Sequence, residues 1–212
     1  MESLEKQIRQ PYEIIVVDDG SEVRPKLWLG SFGSITTAVF APHRGLGSVL
    51  NTAVRLMRGD VLCWLPSDDL WKADKLARQA EFAEEYPGCV LHSFCDLYFE
   101  FDGTTTSGIV PNLTDAEFAT AIRTSSPYFG NTFWIPKDIL NLVGPFREDV
   151  PACEEYDWVL RSVVKHGVKY RLQEECLTVK RITGDSTAQR CAADIARLVR
   201  QFNEEVDRDT ST

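Results

Sequence analysis

With 212 residues, 43% of them hydrophobic and 26% charged, the chain has the composition of an ordinary soluble globular protein and enough length to bury one core. A formal net charge of -9 argues against a nucleic-acid surface, since phosphate backbones select basic faces, yet leaves room for a nucleotide held by a metal ion and a few basic groups. No apolar run approaches the ~18 residues of a membrane span, MESLEKQIRQ lacks the apolar centre of a signal peptide, and the six cysteines include no C-x-x-C pair, so a reduced, cytoplasmic setting is expected.

Residues 3 to 9 read as the end of a short helix. EIIVV (13 to 17) is a β-branched run followed by the turn chemistry of DDGS, hence a strand and a loop. ITTAVFA (35 to 41) is a second strand. From Gly45 to Met57 the residues Leu46, Val49, Leu50, Ala53 and Met57 share one helical face, and Gly59 closes that helix. DVLCWL is a third strand that stops at Pro66, where a missing N–H suits a strand end. WKADKLARQAEFAEEYPG is a helix with Leu76, Ala80 and Ala83 inward and Pro87-Gly88 as its stop. CVLHSFCDLYFEF (89 to 101) alternates as a long strand, and Asp102-Gly103 turns it into TTTSGIV. Thr114 and Glu117 fit a capping box for a helix carrying Phe118 and Ile122. GNTFWIP is a further strand, EEYDWVLRSVVKHG a helix stopped by Gly167, and VKYRL and CLTVKRI two late strands. Ala192, Ile195, Leu198, Val199, Phe202 and Val206 define a closing amphipathic helix. A single domain over residues 1 to 206 and a frayed, disordered tail over 207 to 212 are expected.

Strands alternating with helices imply an α/β sandwich with a largely parallel sheet, in which ligands sit beyond the carboxyl ends of the strands. Two acidic pairs, Asp18-Asp19 and Asp68-Asp69, fall at such ends. The second is the odder: CWLPSDDLW runs an apolar strand straight into two adjacent carboxylates. Two such pairs can divide the gripping of a nucleotide, one accepting hydrogen bonds from base or ribose, the other giving hard oxygen ligands to Mg²⁺ or Mn²⁺. Each pair alone reads equally as a strand and its turn.

Three ordered blocks organise these pieces: YEIIVVDDGS, then HRGLGSVLNTAVRLMRGDVLCWLPSDDLWKADKLARQAEF, then GPFREDVPACEEYDWVLRSVVKHGVKY. In order and spacing they resemble the family 2 glycosyltransferases of GT-A fold, from about residue 3 to residue 187. The resemblance implies a Rossmann-like three-layer sandwich and an inverting, metal-dependent transfer of one sugar from a nucleotide diphosphate sugar, most often a UDP-sugar. The acceptor it implies is a hydroxyl of a glycan or glycoconjugate. It places Asp18 and Asp19 on the uracil and ribose side, and Arg44 and Asn51 near the nucleotide, where helix capping and surface charge are equal alternatives. The family's D-x-D-D metal segment corresponds to Pro66-Ser67-Asp68-Asp69, so Asp68 faces ribose or metal and Asp69 ligates the metal. CEEYDWVLR resembles the segment whose second acid is the general base, here Glu155, a glutamate where aspartate is usual. The plain alternative for Glu154 and Glu155 alike is a pair of acids favouring a helix N-terminus, the simpler reading for Glu154, while Asp157 and Arg161 orient neighbours or form an i, i+4 pair. Trp134 offers a sugar-stacking face or a core aromatic.

The sequence departs from the family in three places. The family opens on a strand resembling VSVIIPTYN, which is normally central, and this sequence starts at or inside the helix that follows it; another segment must fill that gap unless the natural chain is longer. The late R-x-H is Arg181-Ile182-Thr183, without the histidine, and there is no Q-x-x-R-W, which disfavours a processive synthase. With Pro66 and Thr183 where ligands would stand, a metal held mostly by phosphate oxygens and water is expected. Two other classes compete: a catalytically degenerate nucleotide-sugar or glycan-binding module, and a nucleotidyltransferase, although no Gly-rich basic phosphate loop opens the chain. No nucleic-acid partner is expected; contact with a membrane periphery stays open.

Overall fold

The computed structural model describes residues 1–22, 33, 37–183 and 191–210, without the side chain of Ala192. Helix α1 (Glu2–Glu5) is a single turn, tied down by Gln7 just after it. The buried Gln7 amide donates to Ser3 O and Lys72 O at 3.0 and 2.7 Å and accepts from Leu76 N at 3.1 Å, which fixes the chain start to the helix at residue 75. Strand β1 (Ile15–Asp18) runs parallel to β2 (Thr37–Phe40), with Ile15 opposite Thr37 and Asp18 opposite Phe40; residues 35 and 36 of the expected second strand lie outside the described residues. Helix α2 (Leu46–Leu56) packs on β1 through an apolar face centred on Leu50.

Strand β3 is only Val61–Leu62, paired antiparallel with β7 (Ile135–Pro136). The expected strand over residues 60 to 65 is apolar from Val61 on, but among the described residues its second half joins no ladder, and a turn follows at Ser67. The largest sheet has the order β4 (Leu70–Trp71), β8 (Tyr170–Ile182), β5 (Val90–Phe99), β6 (Thr105–Gly108). The β5–β8 ladder is parallel and by far the longest; β4–β8 and β5–β6 are antiparallel. Most paired residues therefore lie in parallel ladders, but the sheet is in three pieces: among the described residues no ladder joins β1 to β3.

Two expected strands prove to be one. VKYRL and CLTVKRI are both in β8, and the register slips twice between Ser93 and Cys95 of β5, so Glu174-Glu175 bulges outward rather than ending the strand. Glu175 there takes a bidentate contact from Arg78 at 2.6 and 3.1 Å. GNTFWIP, expected as one strand, begins instead as a 3-10 turn (Gly130–Thr132); Trp134 makes one bridge to Leu91 and only Ile135–Pro136 enters a ladder.

The remaining helices are α3 (Lys75–Glu85), α4 (Asp115–Ala121), α5 (Lys137–Val143), α6 (Glu154–Val164) and α7 (Ala192–Thr210). Both halves of the Thr114–Glu117 capping box form at the start of α4. The core gathers the inward faces of α5, α6 and α7: Trp158, Val159, Leu160 and Phe202 have no exposed surface, and burial of side chains this large contributes roughly 1.5–3 kcal/mol each. Trp158 stacks on Phe146 at 5.2 Å between ring centres and donates to Gly144 O at 3.0 Å. The α7 helix runs past residue 206 to Thr210, so the expected tail is corrected for 207–210. Asp207 pairs with Arg123 at 2.7 Å and Asp209 with Lys165, and these ion pairs hold the last turn down. Among the described residues no helix is long and apolar enough to cross a membrane.

Candidate active site

The first acidic pair closes a loop. Asp18 is buried at the end of β1, and one of its oxygens accepts from the Ser21 N–H at 3.3 Å and hydroxyl at 2.5 Å. Asp19 reaches across to residues 43–45, bonding His43 Nδ1, Arg44 N and Gly45 N at 2.8, 2.8 and 2.9 Å. Gly45 is the N-cap of α2 at φ 89, a conformation glycine tolerates and other residues resist. It brings no side chain to cap the helix. A distant residue does so: the buried Glu154 carboxylate accepts from the N–H groups of Leu46 and Gly47. Burial raises its pKa nonetheless. Gly47 is obligatory here, since a Cβ would lie 1.8 Å from Arg147 O.

Glu154 opens α6, and Glu155 follows it. The helix starts from Cys153 at φ 68, the one non-glycine among the described residues with positive φ, so the turn that presents the two glutamates is strained. The Glu155 carboxylate lies directly over Gly130, where a Cβ would meet its Oε2 at 2.0 Å. Among the described residues nothing hydrogen-bonds that carboxylate. Burial raises its pKa to about 7; Lys180 at the end of β8 pulls it back and Glu154 adds to the rise.

Asn131, next to Gly130, donates its Nδ2 to Asp69 Oδ2 at 2.7 Å. The other Asp69 oxygen accepts from the backbone N–H of Arg181 at 3.0 Å. Asp69 is 6% exposed, and burial raises its pKa, with further push from Asp68 and relief from the two donors and Lys180. Asp68 beside it is exposed. A continuous arc of contacts therefore runs from Asp19 through Gly45, Glu154, Glu155, Gly130 and Asn131 to Asp69 and the end of β8. A depression of about 350 Å³ lined by Asn51, Arg55, Leu140 and Pro145 contains none of these acids, so the candidate site is the arc rather than that depression.

The donor set suits a hard divalent ion incompletely. Among the described residues each Asp69 oxygen has one donor and keeps a lone pair, and a cation would relieve the Asp68–Asp69 repulsion. Yet among the described residues no group of three or more His, Cys, Asp or Glu could hold a metal. Asp69 and Asp68 fit an ion whose other ligands come from phosphate and water.

The sequence profile of Glycosyl transferase family 2 matches residues 1–147. The chain belongs to that family. Uncharacterized glycosyltransferases of Rickettsia typhi and Haemophilus influenzae are each 24% identical to this family 2 chain, over 74% and 76% of its length; it spans 52% and 55% of theirs, about half. Among solved structures it resembles S. aureus TarS 1-349 in complex with UDP-GlcNAc, with a TM-score of 0.70 at 18% identity over 89% of this chain and 55% of that one. It also resembles mannosyltransferase PcManGT from Pyrobaculum calidifontis in complex with GDP-Man and Mn²⁺, with a TM-score of 0.62 at 17% identity over 89% and 53%. The fold is GT-A.

Within this family 2 chain the sequence-derived residues separate into two groups. Asp18, Asp19, Asp69 and Glu155 lie on the arc, with Asp68 at its end. Arg44 and Asn51 are tied to the loop before α6: Arg44 pairs with Glu148 at 3.2 Å. Asn51 is committed at both ends of its amide, donating to Phe146 O and Glu148 at 2.9 and 2.8 Å and accepting from Phe146 N at 2.9 Å. Asp157 and Arg161 pair at 2.8 Å as expected. Sequence reasoning missed Gly130, Asn131 and Lys180. The first two stand in the GNTFW block, where attention went to Trp134; Lys180 adjoins the segment read as a histidine-less R-x-H.

Proposed function

We propose that this chain transfers one sugar from a nucleotide diphosphate sugar, a UDP-sugar first among the candidates, to a hydroxyl of a glycan or glycoconjugate, with inversion and with help from Mn²⁺ or Mg²⁺. The observation that carries this reading is the Glu155 carboxylate: without a hydrogen bond among the described residues, pressed against Gly130, and with a pKa raised to about 7, it suits a base working at neutral pH. The nucleotide lies toward Asp18 and Asp19, and Asp69 with Asp68 would hold the divalent ion. That ion neutralises charge gathering on the departing diphosphate. Glu155 takes the acceptor proton as the hydroxyl oxygen bonds to the anomeric carbon and the bond to the diphosphate oxygen breaks on the opposite side. Lys180, which electrostatically faces both Asp69 and Glu155, adds positive charge beside the leaving group. The nucleotides named for TarS and PcManGT support the donor class.

A degenerate nucleotide-sugar or glycan-binding module is the second reading, favoured by the thin metal-donor set. Calorimetric titration of UDP, dTDP and GDP with and without Mn²⁺, followed by assays of donor hydrolysis and transfer, separates the two. Binding that needs Mn²⁺, with turnover lost in Glu155→Gln, supports the enzyme; binding without turnover supports the module. Failure of every nucleotide to bind in the presence of metal overturns the enzyme and the nucleotide-sugar module alike and leaves only a glycan-binding module.

A further inference from the structure

We propose that Asn131 is a positioning residue that orients Asp69 toward the divalent ion, and that the Gly130–Thr132 turn thereby locks the metal side of the site to the base side. The inference rests on the assignment of Asp69 as the metal acid. Asn131 donates to Asp69 Oδ2 at 2.7 Å while the Arg181 N–H holds Oδ1 at 3.0 Å, so the carboxylate plane is fixed from both ends. Its one-residue neighbour Gly130 forms the floor under the Glu155 carboxylate.

The turn that carries both contacts is itself rigid. Thr132 has no exposed surface. Its hydroxyl accepts from Ser93 N of β5 at 3.0 Å and donates to Phe129 O at 2.6 Å. Its carbonyl accepts from Gln79 Nε2 of α3 at 2.8 Å. Gln79 in turn accepts from Lys75 Nζ at 2.6 Å, and that nitrogen, wholly buried and with its pKa lowered by burial, lies over the Trp71 ring at 4.3 Å. A buried lysine without a carboxylate partner among the described residues is costly to keep. Here it stands at the far end of a chain of bonds that ends on the metal acid. Outer partners of this kind set the direction and basicity of a ligating carboxylate, and losing one typically costs about 10–100-fold in metal affinity.

The test is calorimetry of UDP binding with and without Mn²⁺ in wild type, Asp69→Ala, Asn131→Ala and Asn131→Leu, with thermal unfolding as the check on folding. The gain in UDP affinity on adding Mn²⁺ should fall about 10-fold or more in both Asn131 variants, while metal-free UDP affinity stays at the wild-type value. If Asp69→Ala loses the Mn²⁺ gain and either folded Asn131 variant keeps it, the positioning role is overturned and the metal assignment survives. If Asp69→Ala keeps the gain, the assignment fails and the inference with it.

Discussion

The two acidic pairs look alike in sequence and do opposite things in space, one at the end of β1 and the other just ahead of β4. At the end of β1, Asp19 is a clasp: its carboxylate is occupied by His43 and two backbone N–H groups at the start of α2, and Asp18 is bonded to Ser21. Just ahead of β4, Asp69 is more deeply buried yet less occupied, with one donor to each oxygen among the described residues, a raised pKa and a like charge beside it. A carboxylate satisfied by its neighbours stabilises the fold. One held in place but left electrostatically uncomfortable keeps the capacity to bind a cation. Adjacent acids after an apolar run are thus a position rather than a function, and the donors that fold around them decide which they become.

The largest expected effect falls at Glu155, the proposed base, which lies on the arc between the two pairs. Glu155→Gln should lower turnover about 10²–10⁴-fold and leave the affinity for UDP with Mn²⁺ unchanged. In wild type the rate should climb about tenfold per pH unit below about 7 and level off above it, because only the ionised carboxylate can take a proton. Stability should run the other way. The folded state keeps this proton up to about pH 7, whereas an unfolded glutamate loses it near 4.5, so stability is full below 4.5 and declines as pH rises through 7. Glu155→Gln should flatten that decline, giving a higher melting temperature than wild type at pH 8. A pH-independent difference in melting temperature would remove the burial argument.

Next in size is Gly130→Ala. The new Cβ must displace the Glu155 carboxylate, which is the free end of a flexible side chain, so the fold should survive while the base moves. A misplacement on the order of 1 Å costs about 10²-fold in rate. UDP affinity with Mn²⁺ should not change, which separates this variant from those at Asn131. A Gly130→Ala protein with full turnover would mean that Glu155 acts from another position.

Much of this was legible in the sequence, for reasons that are local. The helical faces of α2, α3, α6 and α7, the Thr114 capping box, the Asp102-Gly103 hairpin and the Asp157–Arg161 pair follow from spacing within one element. Errors arose where partners decide: Glu174-Glu175 reads as a break but sits in a bulge because β5 offers a continuous parallel edge, and GNTFW reads as a strand but turns because Thr132 is pulled to β5 and α3. Glu154 reads as the dipole partner of its own helix, yet it caps α2. Asn131 was invisible because its partner Asp69 is 62 residues away.

The contrast between the acidic pairs is broken or kept by exchanging their losses. Asp69→Ala should weaken UDP binding in Mn²⁺ about 10–100-fold and leave metal-free binding alone. Asp19→Ala should do something smaller and different. It leaves Arg44 N and Gly45 N, both near the protein surface, without their acceptor and frees His43, so the expected cost is about 1–2 kcal/mol of stability. For a chain of this size that is a fall of about 2–8 °C in melting temperature. Because Gly45 leads into the N–H groups that Glu154 caps, the same variant should loosen the α2–α6 contact. Hydrogen exchange should therefore quicken at Leu46 and Gly47, while the Mn²⁺ gain in UDP affinity persists. A variant at Asp19 that abolished the Mn²⁺ gain at unchanged melting temperature would make the clasp a metal site and reverse the comparison.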